Sequence, residues 1–242
     1  MTVPAASRTL DLIEAFARER RPMSISALAN ATGIPVSSCH GLIKTLEQRG
    51  YVFELKNQGG FYPTKLLANQ VADIGHYDPM PAWVLPALTA LRDRSNETIL
   101  FAKLVNAAAL YIEVLESTQS VRFIVQVGDI RPLYASAAGK ALLASLDQPS
   151  RTAIIDHLKF VRHTPSTITT RDELIAHLKK SEADGWFVSR EDYIAGVNAV
   201  AISILIGGEH YACAIAGPSH RIEANLDAHV TLLKSFGPEM GP

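Results

Sequence analysis

This sequence is short of the features that would make it a disulfide scaffold, a metal site or a membrane span. Its two cysteines, Cys39 and Cys213, lie far apart within apolar patterns. That excludes a disulfide framework and a thiolate zinc site, and it predicts a reducing, cytoplasmic setting. No apolar run approaches the roughly 18 residues of a membrane-spanning helix. The opening MTVPAASRTL lacks the charged segment and apolar stretch of a signal peptide. Catalytic signatures are equally scarce. The eight histidines are scattered with no metal-spaced pair, and no Gly-x-Ser-x-Gly elbow occurs. Gly139-Lys140 resembles the end of a phosphate-binding loop, but Tyr134 stands where that loop needs glycine and Ala141 where it needs a hydroxyl. Glu191 and Asp192 are adjacent, so along a strand they point to opposite faces and cannot share one substrate. The expectation is a protein with no metal, no cofactor and no catalytic residues.

Net charge is also small, −1 over 242 residues, but it is unevenly divided. Residues 1–62 hold seven Lys or Arg against five Asp or Glu, a balance of +2; the remainder holds sixteen against nineteen, −3. The positive end fits DNA, and dimerisation would supply the further phosphate neutralisation that +2 lacks.

Residues 24–62 organise that end. Leu28, Ala29, Thr32, Ile34, Cys39, Leu42, Ile43 and Leu46 recur at three- and four-residue intervals on either side of Gly33, which predicts two amphipathic helices around a tight turn. Pro35 fits the first turn of the second helix, residues 36–49. Its outward face carries Ser37, His40, Gly41, Lys44 and Gln48, short or polar groups suited to a major groove about 12 Å wide. Ser37 and Ser38 sit where free NH groups and the helix dipole favour an anion, and Lys44 is a natural phosphate contact. A mid-helix glycine costs about 1 kcal/mol, so Gly41 implies close approach, either by DNA or by a neighbouring helix. Residues 51–62 read as strand, turn, strand, a wing with Lys56 and Asn57 at its tip. Before them, Ser7 is expected to cap a first helix to about Arg20, with Leu10, Ile13 and Phe16 or Ala17 inward and Arg8 placed for a phosphate.

A connector helix is expected over residues 64–76, ended by Asp78-Pro79-Met80-Pro81. Its apolar stripe packs on its own domain or on a second copy of the chain. This gives domains of 1–63 and 82–242 with a linker and hinge at 64–81. Beyond the hinge a helix is expected at 82–94, then strands at 98–105, 108–115 and 121–127 with a turn at Asn106-Ala107. Ser136 caps a helix leading into AAGKALLA. Helices follow at 149–158 and 171–184, strands at 186–191, 197–206 and 210–216, and a closing helix at 221–236. Strand blocks separated by helices predict an α+β domain around an antiparallel sheet.

Several ordered blocks carry a resemblance: Arg131-Pro132-Leu133 into AAGKALLA, then TPSTIT from Thr164, DGWFVSRED, AGVNAVAISI and AIAGPSHR. With the helix-turn-helix, they resemble the IclR family of bacterial transcription regulators over about residues 7–222. The resemblance implies a winged helix-turn-helix domain, a GAF-like effector domain, and a dimer or dimer of dimers on palindromic operator DNA. Val36 and Gly41 depart from the basic residues the family often has there, which alters the operator sequence expected. Matched effector positions are Phe123, Ala137, Ala138, Ser189, Val197, Ala199, Ala214 and Ala216.

The residues themselves converge on part of that set. Ala199 and Ala201 share one strand face, as do Ala212, Ala214 and Ala216; such rows fit either a closely packed helix or a cavity walled by Phe123 and Tyr134. The NH groups of Ala137, Ala138 and Gly139, after Ser136, form an anion site without a charged side chain. A carboxylate is expected there, with Ser189, Glu191 and Asn198 orienting polar groups of the ligand. Apolar Ala214 and Ala216 favour a larger or aromatic acid. Two rivals predict otherwise: a binding or catalytic module whose helix-turn-helix makes protein contacts only, and a constitutive repressor with a vestigial pocket.

Overall fold

The computed structural model describes residues 3–75, 77 and 79–238, and the chain forms two compact units, Met1–Met80 and Pro81–Pro242.

In the first unit, α1 (Pro4–Glu19) begins earlier than Ser7. Pro4 explains this: its missing NH is free of cost in a first turn, where no intrahelical acceptor exists. The inward stripe shifts accordingly to Leu12, Ala15 and Phe16, and Leu10 is exposed. Ser24 caps α2 (Ile25–Thr32), its Oγ accepting from the Ala27 NH at 3.1 Å. Gly33 ends the helix with φ +70°, a left-handed conformation that costs glycine little. Then α3 (Val36–Gln48) follows, with Pro35 immediately outside it as the cap residue. The wing is β1 (Val52–Leu55) paired antiparallel with β2 (Gly60–Pro63) through a 3₁₀ turn at Lys56–Gln58. Met23 exchanges both backbone hydrogen bonds with Phe61, at 3.0 and 2.8 Å, so the lead-in to α2 is itself a third, one-residue strand of the wing. Leu12, Phe16, Leu28, Cys39, Ile43, Val52 and Phe61 form one core. The connector, α4 (Lys65–Gly75), has no fully buried residue: its start meets its own domain, with Leu67 half-buried and Gln70 accepting from the Tyr51 hydroxyl at 2.9 Å, while Val71 and Ile74 farther along lie open. The expected end of that helix and the first residue of the breaker fall on His76 and Asp78, outside the described residues.

The second unit opens with α5 (Val84–Ser95), followed by β3 (Thr98–Val105) and β4 (Ala108–Leu115), joined by Asn106 and Ala107, both at positive φ. No strand forms over residues 121–127, contrary to the alternation of the sequence. That segment is held by side chains instead of a ladder: Thr98 Oγ1 donates to the Phe123 carbonyl at 2.7 Å and Arg221 to that of Val121 at 2.9 Å. The strand is displaced to β5 (Ile130–Pro132). A 3₁₀ turn leads into α6 (Ala137–Ala144), then α7 (Gln148–His157) and α8 (Arg171–Asp184), the last carrying a complete capping box between Thr170 and Glu173. The chain finishes with β6 (Phe187–Arg190), β7 (Val197–Ile206), β8 (Glu209–Pro218), α9 (Ser219–Ala224) and α10 (Leu226–Lys234). The expected single closing helix is broken at Asn225, whose side chain bonds back to the Arg221 carbonyl.

All six strands of this sheet pair antiparallel in the order β5-β4-β3-β8-β7-β6. Cross-strand partners share a face. One row, Ser189, Ala199 and Ala216, and its neighbour Ala201, Ala214 and Leu100, lie under α6; the opposite face presents Phe101, Ile215, Val200 and Ile202.

Candidate functional site

The first candidate surface is α3. Val36, Ser37, His40, Gly41, Thr45 and Gln48 are exposed, and Ser38 is half-buried at the shoulder. Whereas α2, α6 and α8 are capped by Ser24, Ser136 and Thr170, α3 has no side-chain cap. Its first amides are therefore left for an external acceptor, and the helix dipole favours an anion there. A Cβ built on Gly41 meets nothing within 4 Å, so no neighbouring helix of this chain requires glycine at that position. Lys44 folds back, donating to Glu47 at 2.7 Å with its ammonium 5.4 Å from the Phe61 ring centroid. Reaching a phosphate would mean exchanging that partner. Lys56 and Asn57 are exposed at the wing tip, and Arg8 is half-buried on α1 with no ion pair among the described residues.

The second candidate is a cavity between α6 and the sheet, with about 40 Å³ of free space. Phe123, Ser136, Ala137, Ala138, Ser189, Val197, Asn198, Ala199, Ala214 and Ala216 line it, joined by Leu100, Tyr111, Arg131, Ala135, Tyr193 and Ile194. The alanine rows serve both purposes considered for them. Ala201 and Ala212 are fully buried in the core beneath α6, while Ala199, Ala214 and Ala216 leave room for the cavity.

Three expected residues lie outside its wall. Tyr134 turns away, its hydroxyl accepting from the Val161 NH at 2.8 Å and its ring 4.9 Å from Phe160. Gly139 gives its NH to Ser136 Oγ at 3.1 Å, which leaves two amides at the helix start, not three. Glycine is needed there for contact: a Cβ would lie 2.5 Å from the Leu133 Cα. Glu191 sits in the turn after β6 with φ +60°, its carbonyl accepting from Thr164. Asn198 remains in the wall, but its side chain takes the opposite sheet face, where it donates to Glu223 at 3.4 Å. Ser189 is buried, with its hydroxyl unpartnered among the described residues.

Two charged residues escaped the sequence reading. Lys140 is fully buried and donates to Asp192 and, at 2.9 Å, to the Val188 carbonyl, so it ties α6 to the edge strand β6. Burial pulls its ammonium below the ordinary range, with Asp192 acting against that shift. The Gly-Lys pair was the available signal, dismissed because it is no phosphate loop. Arg131, quoted only as part of a motif, is the one charged side chain among the lining residues. The lining contains no histidine, carboxylate, lysine or cysteine, and hence no nucleophile with a base beside it.

Comparison with known proteins identifies the family of both units. A family described as "Bacterial transcriptional regulator IclR C-terminal" matches residues 79–237, and "IclR helix-turn-helix domain" matches residues 5–54. Among curated relatives, the HTH-type transcriptional repressor AllR of Escherichia coli K12 is 27% identical over 90% of this chain and 81% of its own. The regulator XynR of the same organism is 24% identical over 84% and 80%. The Thermotoga maritima IclR structure superposes with TM-score 0.79 at 21% identity, covering 97% of this chain and 96% of the other. An IclR homologue from Microbacterium hydrocarbonoxydans, complexed with 4-hydroxybenzoate, gives 0.70 at 20% identity, covering 95% and 98%. Uncapped reading helix, wing and walled cavity thus occur in one chain that belongs to the IclR family of bacterial transcriptional regulators.

Proposed function

We propose that this chain is a cytoplasmic, non-enzymatic homo-oligomer that binds palindromic operator DNA and senses a small organic acid, aromatic in kind. Residues 1–63 serve as the reader, 64–81 as linker and hinge, and 82–242 as the sensor. Ser37, Ser38, His40 and Gly41 enter the major groove, and Arg8, Lys44, Lys56 and Asn57 meet the backbone. The observation that carries the sensing role is the cavity lining, apolar with a few polar groups and no catalytic pair. The amides of Ala137 and Ala138 can donate to a carboxylate, and the hydroxyl of Ser189 can bond a second polar group. The relative holding 4-hydroxybenzoate supports an aromatic acid. The uncovered stripe of α4 supports self-association near the DNA.

Binding of the full chain to its own upstream DNA, measured across a salt series with and without aromatic and aliphatic carboxylates, tests this reading. Selective, salt-sensitive binding shifted by one acid is expected. Absence of selective binding under every condition would return the helix-turn-helix to a protein-contact role; selective binding indifferent to every acid would leave a constitutive DNA binder.

A further inference from the structure

Arg131 stands on β5 and Tyr193 follows β6, the opposite edges of the six-stranded sheet. The guanidinium nevertheless lies 5.0 Å from the Tyr193 ring centroid and 5.6 Å from that of Tyr111 on β4. The arginine therefore bridges the two edges of the curled sheet at the cavity. Its side chain is only 15% exposed, which removes much of its hydration.

The disposition of its partners is one-sided. Asp129 accepts from the guanidinium at 3.2 Å but is 40% exposed and is not part of the cavity wall; the Ile130 carbonyl takes a second NH at 3.0 Å. Of the five NH donors of an arginine, two are thereby accounted for. A positive group faces the cavity while its counter-ion sits outside it. Nothing negative lines the interior, and the buried Tyr111 phenol, pushed up to about 12 mainly by burial, stays neutral at ordinary pH.

We propose that Arg131 is the residue that makes this cavity selective for negative charge, pairing directly with the carboxylate of an acid whose planar part lies against Phe123 and the two tyrosines. The inference rests on the reading of this cavity as the effector site and adds the discriminating group to it. Backbone amides at the start of α6 donate to a neutral carbonyl oxygen as readily in geometry as to a carboxylate. A guanidinium does not treat them alike, because a charge-assisted, two-point hydrogen bond requires the anion.

The test is calorimetric titration of the full chain with paired acids and primary amides: benzoate and benzamide, 4-hydroxybenzoate and 4-hydroxybenzamide. Hydrogen bonds to charged groups are worth about 1.5–3 kcal/mol, so an acid should bind more than about tenfold tighter than its amide. Arg131→Gln should shrink that ratio to below about threefold, and Arg131→Lys, which keeps the charge but loses the two-point fork, should give a ratio between those of the unaltered chain and Arg131→Gln. Thermal melts of both variants check that the unit still folds. Equal affinity for acid and amide in the unaltered chain, no binding by either acid, or a preserved ratio in Arg131→Gln would each overturn the proposal. Selective DNA binding by the same sample separates these outcomes, since it fails only if the regulator reading itself fails.

Discussion

Gly41 and Gly139 both lie within helices, and their surroundings give them opposite meanings. Gly139 is pressed against Leu133, so its missing side chain is a packing requirement. Gly41 faces open space and pays only the helical penalty, so alanine there should stabilise the first unit by about 1 kcal/mol. The same methyl group would hold α3 away from DNA. Gly41→Ala is expected to melt higher and bind upstream DNA more weakly; unchanged DNA affinity would remove Gly41 from the interface. A second residue governs acid sensitivity. Burial lowers His177 to about 4 from 6.5, with Lys140 adding to the shift, and its Nε2 has no partner among the described residues. Between those values the unfolded chain takes up a proton that the folded unit refuses, so stability is full above about 6.5 and declines as pH falls towards 4. Carboxylates such as Asp147 and Glu173, lowered by their capping hydrogen bonds, add their loss at the acid end. His177→Gln should flatten the decline in melting temperature between pH 6.5 and 4; a slope equal to that of the unaltered chain would assign the decline elsewhere.

At the scale of elements, legibility followed the range of the interactions involved. The residues of β3, β4, β7 and α8 carry local alternation, turn or capping signals and fold where those signals place them. Residues 121–127 alternate too, yet Thr98 and Arg221 bind their carbonyls and no strand accepts them. The Arg131 bridge was invisible for a related reason. Tyr111, Arg131 and Tyr193 meet only because the sheet curls, and no period in the sequence records that closure. Tyr134 misled for the converse reason, since its ring beside Phe160 is a long-range contact drawing it away from the cavity. For α4 the structure leaves Val71 and Ile74 at 62% and 73% exposure, an apolar stripe larger than a solvated connector needs. Ile74→Glu should lower the mass of the assembly in light scattering while both units still melt cooperatively. An unchanged mass would place self-association on another surface.

For the whole molecule, the division of charge sets the requirement for assembly. A reader of +2 attached to a remainder of −3 neutralises few phosphates alone, and two readers on one duplex double both the charge and the number of contacts. A ligand alters occupancy only if it binds one arrangement of the readers better than another. Because coupling between two binding sites is reciprocal, the acid must change DNA affinity by the same factor as DNA changes acid affinity. The most direct measurement is the affinity of the full chain for the identified acid, free and saturated with its upstream DNA, at one salt concentration. The account predicts that the two affinities differ by about 5- to 150-fold, matching the shift in DNA affinity caused by the acid. Identical affinities in the two states would show a cavity that binds without signalling, and would contradict the claim that this chain couples a small acid to operator DNA.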